Sequence, residues 1–403
     1  MCAAPSNVNH STIASIAHQY EISQETFEKL HQTLYTVLSF GFSNRYNTKY
    51  GLPDMINSLV AICIGNSYAE SGLKRLAIES HLKKAPSGSW LINTIKKIPE
   101  QHMRLQLADA VDDTIHNMKK IGMFATPITV AIDKHLIPRY DKNSDEFLIK
   151  SMAKKGTTHF ESYCTISVTE SCRACLGALH VTPHESNSTF VRKLLNNTIK
   201  NDILMNMVLV DREFFSAAVI HEIKQSGQTF VMPARKTAGI KKAIIQYVEG
   251  NRKAVSRYVI KSSSGHVESF NLVILPNQKP HKSNLIDQYV VFATNVPRGK
   301  IFPKLSQIPE EYSRRWGIET GYACVEELRP RTTSPNHSVR LLMFYFPLIF
   351  YNAWVMTNCV LQDEPDANCK PIISIEMLKC FFRLFVIQMI RNEKENYFLE
   401  YVG

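Results

Sequence analysis

The chain has 403 residues, 44% hydrophobic and 21% charged, which excludes a disordered polypeptide and allows a large core spread over about two or three domains. Its net charge is +11, and the excess is concentrated: residues 236–305 carry 12 basic and 3 acidic side chains, a balance of +9. A merely soluble basic surface needs no such confinement, whereas a phosphate-backbone partner does, because its affinity comes largely from counterion release. Nine cysteines without regular spacing, and an N-terminus (MCAAPSNVNHSTIASIAH) lacking a basic-then-apolar leader, point to a reducing, cytoplasmic setting.

Residues 1–122 read as helical. HSTIASIAHQY, SQETFEKLHQTLYTVLSF and LPDMINSLVAICIGNSYAESGLKRLAIESHL place apolar residues three and four apart. PSGSWLINTIKKI reads as a short helix capped by Ser87 or Ser89, with Asn93, Lys96 and Lys97 on its outer face. That face suits a helix-turn-helix DNA reader, and equally an ordinary amphipathic helix.

From Thr126 the texture changes to α/β. TPITVAID, followed by HLIPRY, is β-branched and apolar along its length, as in a strand buried on both faces. FESYCTISVT and ACLGALHVT read as strands, SNSTFVRKLLNNTI as a helix, MNMVLVD as a buried strand, REFFSAAVIHEIKQSG as a helix and QTFVMPAR as a strand. Cys172 and Cys175 form a CxxC without a second ligand pair at zinc spacing, so a turn between strands is the expectation. Residues 236–285 are expected to form a basic β insertion from KKAIIQYVEG, SRYVIKSS and HVESFNLVILP, after which DQYVVFATN returns to the sheet. EYSRRWGIETGYACVEELRPR is expected to be one long helix, followed by helices at 341–362 and 373–392. The charge-free 341–362 segment is long enough to cross a bilayer, but Pro347, Asn352 and Asn358 interrupt it, and a buried core helix is expected.

Two acids are marked by position. Asp133 ends the apolar run ITVAI and Asp211 ends MVLV. A carboxylate closing a buried strand is costly unless paired or metal-bound, and strand ends line the functional crevice of open α/β sheets. Asp also starts ordinary turns, so it is the pairing of two neighbouring strands that carries the signal. At about 100° per residue, Tyr312, Arg315, Glu319 and Glu326 share a stripe roughly 60° wide, opposite Ile318, Tyr322, Val325 and Leu328. Such a stripe is either a solvated face or a place where Glu holds a metal while Arg and Tyr hold a phosphate.

Asp133 in VAIDKHLIP, Asp211 in LVDREFF and Tyr312-x2-Arg315-x3-Glu319 together resemble the DDE-type insertion-sequence transposases, in the branch with a β insertion before the Glu. The resemblance covers about residues 120–350. It departs from the family at Glu326, where a Lys follows the Glu by seven positions, and in the insertion, which lacks a Trp: Trp90, Trp316 and Trp354 all lie elsewhere. Tyr247, Tyr258 or Phe270 could stack a flipped base in its place, or each could be a core residue of its strand, which leaves base flipping open.

The resemblance implies an α/β, ribonuclease-H-like mixed sheet with a β-strand insertion, plus an N-terminal helical domain. It divides the chain into a DNA-binding domain (1–122), a catalytic domain (123–235 and 286–403) and the basic insertion (236–285). It implies two Mg²⁺ ions, replaceable by Mn²⁺, on Asp133, Asp211 and Glu319, with Arg315 and Tyr312 on a phosphate. The partners implied are double-stranded DNA, as terminal inverted repeats and target, and a second protomer in the synaptic complex; no membrane is implied. Lys241, Lys242, Arg252, Lys253 and Arg257 are the candidates for backbone contacts, and His135, two residues beyond Asp133, shares its strand face. A nuclease of the same fold without strand transfer, and a catalytically silent DNA-binding derivative, are the alternatives.

Overall fold

The structure, a computed structural model, describes residues 50–81, 85–140, 147–170, 173–262, 265–278, 284–297, 299, 305, 307–362, 371–383 and 386–387. The two expected helices before residue 50, Cys172 and the last residues of the 373–392 helix lie outside them. In chain order the elements are α1 (Leu52–Ile64), α2 (Ala69–Glu79), α3 (Gly88–Lys96), α4 (Glu100–Lys120), β1 (Ile128–Arg139), β2 (Ile149–Lys154), β3 (Thr157–Val168), β4 (Cys175–His180), α5 (Asn187–Lys200), β5 (Met205–Val210), α6 (Ala217–Gln225), β6 (Phe230–Pro233), α7 (Ala238–Val248), β7 (Val255–Lys261), β8 (Val267–Pro276), β9 (Tyr289–Thr294), α8 (Gln307–Ser313), α9 (Trp316–Leu328) and α10 (His337–Leu361). The chain forms two compact units, Met1–Met123 with Gly321–Gly403, and Phe124–Thr320.

In the first unit, α10 packs along α4. Helix α10 is buried nearly all round, from Leu341 through Phe346 and Phe350 to Met356, with Asn352 and Asn358 buried as well. Asn358 is satisfied there: its amide donates to Trp354 O and Ile373 O and its oxygen accepts from Ile373 N. Helix α10 is long and apolar enough to span a membrane, but it is enclosed by protein, as expected of a core helix. Helix α3 begins at Ser87, whose Oγ accepts from Trp90 N at 3.1 Å. Its start abuts α2 so closely that a Cβ on Gly88 would lie 2.4 Å from Glu70 N, so only glycine fits. Asn93, Lys96 and Lys97 are exposed.

The second unit is one mixed sheet of order β2-β3-β1-β5-β6-β9-β8-β7, with β4 also on β3. Strand β1 pairs antiparallel with β3 and parallel with β5, and β6 continues parallel to β5. Residues 128–132 and 207–210 are buried, which is why both runs are apolar without alternation. Helices α5 and α6 are the crossovers, capped by Ser186 and Ser216. This is the ribonuclease-H-like mixed sheet.

Four local expectations are corrected. KKAIIQYV is not a strand but lies in α7: Ile240, Ala243 and Ile244 face inward at helical spacing and Thr237 caps the start. Its β-branched residues mimic a strand, and Gly239 lets Tyr258 Oη of β7 approach closer than a Cβ would allow. SRYVIKSS and HVESFNLVILP do form β7 and β8, but β8 pairs with β9, and β9 with β6, so the insertion extends the main sheet. REFFSAAVIHEIKQSG starts with a separate 3₁₀ turn, Arg212–Phe214, before α6. The expected long helix breaks into α8 and α9 at Arg314–Arg315. Strand β2, largely exposed at the sheet edge, has no counterpart among the expected strands.

The burial of α10 has a measurable consequence. Phe346→Ala removes a fully enclosed ring and is expected to cost about 3–5 kcal/mol in urea unfolding; a loss under about 1 kcal/mol would show that the ring does not sit in a close-packed core.

Candidate active site

Ile132 of β1 lies opposite Val210 of β5 in a parallel ladder, so Asp133 and Asp211, each the next residue, leave that ladder side by side. Strand β5 then ends while β1 runs on to Arg139, paired with β3 alone. Asp211 caps the 3₁₀ turn with its own side chain, Oδ2 accepting from Glu213 N at 3.4 Å.

Arg315 joins the acids. Its Nη1 donates to Asp133 Oδ2 at 2.6 Å, and its Nη2 lies 3.3 Å from Glu319 Oε1 and 3.8 Å from Asp211 Oδ1. Its Nε donates to Tyr312 Oη at 3.0 Å, and Tyr312 Oη donates to Asp211 Oδ1 at 3.2 Å. The side chains grade from Asp133, 16% exposed, through Asp211 at 33% to Glu319 at 60%. The α8–α9 break makes this possible. Arg315 N bonds to Tyr312 O and Ile318 N to Arg315 O, both i to i+3, and this tighter turn stacks the Arg315 guanidinium over the Tyr312 ring. The site therefore rests on a turn, not on the continuous helix face expected. Ile318, Val325 and Leu328 are buried as anticipated, and Tyr322 is half-buried. Glu326 belongs to the other compact unit and is engaged by Arg329 through both oxygens at 2.8 Å.

Burial is the largest influence on Asp133 and pushes its carboxyl up to about 6; Arg315 and the Lys134 backbone N–H oppose it, and Asp211 and Glu213 add to it. Burial likewise raises the Tyr312 phenol, against the pull of Arg315. For Arg315 burial pulls downward, but Tyr312, Asp133 and Asp211 outweigh it and hold the guanidinium above its ordinary value.

The donor set suits a hard cation. Three carboxylates and a phenol, all oxygen, face one positively charged group, which is the chemistry Mg²⁺ and Mn²⁺ select. Asp133, Asp211 and Glu319 could hold such an ion between them.

The basic candidates lie elsewhere in the unit. Lys241 and Lys242 are exposed on α7, Lys253 on the following loop and Arg257 on β7. Arg252 is spent internally: it donates to Ser256 Oγ at 2.6 Å and Arg257 O at 3.1 Å and lies over the Tyr258 ring. Phe270 is buried against Tyr258 and Phe215, and half-buried Tyr247 of α7 packs on Tyr289 of β9, so each of these aromatics already has an aromatic neighbour in the protein. His135 is half-buried. Buried Cys175 donates its thiol to Gly177 O, and burial pushes it up to about 11, which fits a packed, inert cysteine. Sequence reasoning missed Lys134, whose Nζ is 3.3 Å from Glu213 Oε1, and Arg235, which grips the Asp211 turn. No spacing rule signals either, because both act across strands.

Two acids thus stand on adjacent strand ends of a ribonuclease-H-like sheet, with a third on the helix after an inserted hairpin. Residues 125–352 match the family described as transposase DDE domain. The chain belongs to this family and is a DNA transposase. A solved structure, the cryo-EM synaptic complex of piggyBac transposase with hairpin DNA, is similar with a TM-score of 0.53 and 12% identity, covering 96% of this chain and 82% of that one. At that identity the likeness concerns the fold. Comparison with curated proteins gives no match.

In chelator, carbon-13 NMR of aspartate carboxyls should find Asp133 titrating near pH 6, and Arg315→Gln should move it higher. Because the folded-state value lies above the usual 3.8, protonation stabilises the fold; that contribution is complete below 3.8 and lost as pH rises through 6. An Asp133 midpoint at the ordinary value would refute the desolvation.

Proposed function

We propose that this transposase nicks DNA at the ends of its mobile element with water and then uses the freed 3′-OH to attack a target phosphodiester, with Asp133, Asp211 and Glu319 as ligands to two Mg²⁺ ions. The observation that supports this best is the convergence of the three carboxylates on the single cation Arg315. When bound, two such ions, replaceable by Mn²⁺, activate the attacking oxygen and neutralise the leaving one. Asp133, the innermost acid, would hold the ions together with Asp211 and Glu319. The sheet holds the first two, and Glu319, the most exposed of the three, stands on α9. Arg315, released from the carboxylates, holds a phosphate oxygen through its planar fork, with Tyr312 orienting the same group. No protein nucleophile and no covalent intermediate is used.

Double-stranded DNA is gripped by Lys241, Lys242, Lys253 and Arg257 on α7 and the adjoining hairpin, with Arg252 bracing that hairpin from within. The insertion 236–285 is thus the DNA-holding part and 123–235 with 286–403 the catalytic part. Residues 1–122 are the end-recognition domain, with Asn93, Lys96 and Lys97 of α3 facing the groove. Synapsis of two ends calls for a homodimer on DNA at the nucleoid, in keeping with the synaptic complex of its structural relative.

The test uses DNA carrying the inverted repeats that flank the gene. Glu319→Gln and Asp133→Asn should lower cleavage by roughly a thousand-fold or more, as expected where metal-held charge contributes several kcal/mol, with DNA binding retained. Normal cleavage by Glu319→Gln would sink the assignment, and cleavage without joined product would mark a nuclease. Neutralising Lys241, Lys242, Lys253 and Arg257 should lower the slope of log affinity against log salt by up to about 0.9 for each phosphate left without its cation. An unchanged slope would move the DNA-binding surface elsewhere.

A further inference from the structure

Arg235 and Lys236 are consecutive cations where the chain leaves β6 for α7. Arg235 is exposed, yet its guanidinium is directed at the backbone: Nε donates to Arg212 O at 3.1 Å and Nη2 to Glu213 O at 2.6 Å. Those carbonyls belong to the 3₁₀ turn that Asp211 caps from its other end through Glu213 N. The same turn is held by Asn187, whose Nδ2 donates to Glu213 O at 3.4 Å, and by Lys134, which pairs with the Glu213 carboxylate. Lys236 points the other way: its Nζ donates to Ile286 O at 2.8 Å and lies 3.3 Å from Asp287 Oδ1, just before β9. One cation therefore secures the turn that carries Asp211, and the next secures the point where the inserted segment returns to the sheet.

We infer that Arg235 is a positioning residue: by bridging two successive carbonyls it fixes the Arg212–Phe214 turn, so that the Asp211 carboxylate stays turned toward Asp133. This rests on the reading of Asp211 as a metal ligand. A bidentate, charge-assisted grip on an exposed turn fixes geometry more than it adds stability. Partners that orient a ligand from outside the site are felt in metal affinity, typically by ten- to a hundred-fold. Arg235 touches neither the carboxylate nor any other proposed ligand; it acts through the turn.

The experiment is a Mn²⁺ titration of the full chain without DNA, followed by electron paramagnetic resonance of the free ion, on wild type, Arg235→Ala, Arg235→Lys and Asp211→Asn. Arg235→Ala should weaken Mn²⁺ binding roughly tenfold, and Arg235→Lys, which reaches one carbonyl, should recover part of it. Affinity for a short duplex of arbitrary sequence, measured in chelator, should stay within about twofold. Wild-type Mn²⁺ affinity in Arg235→Ala, beside a loss in Asp211→Asn, overturns the inference while leaving the metal site standing. Weakened duplex binding with unchanged Mn²⁺ affinity also overturns it and makes Arg235 a phosphate-binding residue. Wild-type Mn²⁺ binding in Asp211→Asn overturns the metal-ligand reading itself. Should Arg235→Ala fail to fold, Arg235→Lys carries the test: intermediate weakening supports the clamp and wild-type affinity removes it.

Discussion

A carboxylate at the end of a strand buried on both faces is the constraint on which the rest of this catalytic unit depends. Asp133 sits where water is largely excluded, and its ionised form is disfavoured by burial before any neighbour acts. The parallel ladder then sets Asp211 beside it, which makes matters worse by like-charge repulsion. Only a rigid frame holds two such groups together. Strand β1 supplies it, paired on one side with β3 from Val130 to Arg139 and on the other with β5 up to Ile132. Arg315, delivered by a tight turn rather than a helix face, brings the compensating charge.

The same sheet contains a second buried ion pair, and the contrast separates structure from chemistry. Arg139 and Glu161 are each 2% exposed and 3.8 Å apart, and Glu161 also accepts from Tyr163 Oη. Both members are sealed in, and removing either would strand a charge in a dry interior. Around Arg315 the exposure instead rises steadily from Asp133 to Glu319. On the proposed reading, that gradient leaves a hydrated cation and a charged substrate a way in from the Glu319 side, while Asp133 stays held by the sheet. A sealed pair cannot exchange its partner; a graded one can.

The parts of this arrangement legible in the sequence are those with a local signature. ITVAI and MVLV announce doubly buried strands, and a terminal Asp on each announces the site. The rest is settled by distant neighbours. KKAIIQYV has strand-like residues, but its inward positions are set by packing at helical spacing. The turn at Arg314–Arg315 contains neither proline nor glycine to mark it, and lies where Arg315 meets Asp133, Asp211 and Glu319. The charge count of residues 236–305 has a mixed meaning: Arg252 and Lys236 are spent on the protein's own oxygens, so fewer cations are left for DNA than +9 suggests.

The placement of the inserted hairpin bears most directly on how such an enzyme works. An insertion tethered by loops would hold DNA at a variable distance from the acids. Here β8 pairs with β9 over six positions, β9 pairs with β6, and β6 lies beside β5, the strand that delivers Asp211. Arg257 on β7 and the two strands that carry Asp133 and Asp211, β1 and β5, thus belong to one hydrogen-bonded sheet. Displacing one relative to the other requires shearing a ladder, not bending a hinge. Since misplacing reacting atoms by about 1 Å can cost a hundred-fold in rate, a continuous sheet is a direct way to keep a phosphodiester in register with carboxylates that are themselves held by the same strands.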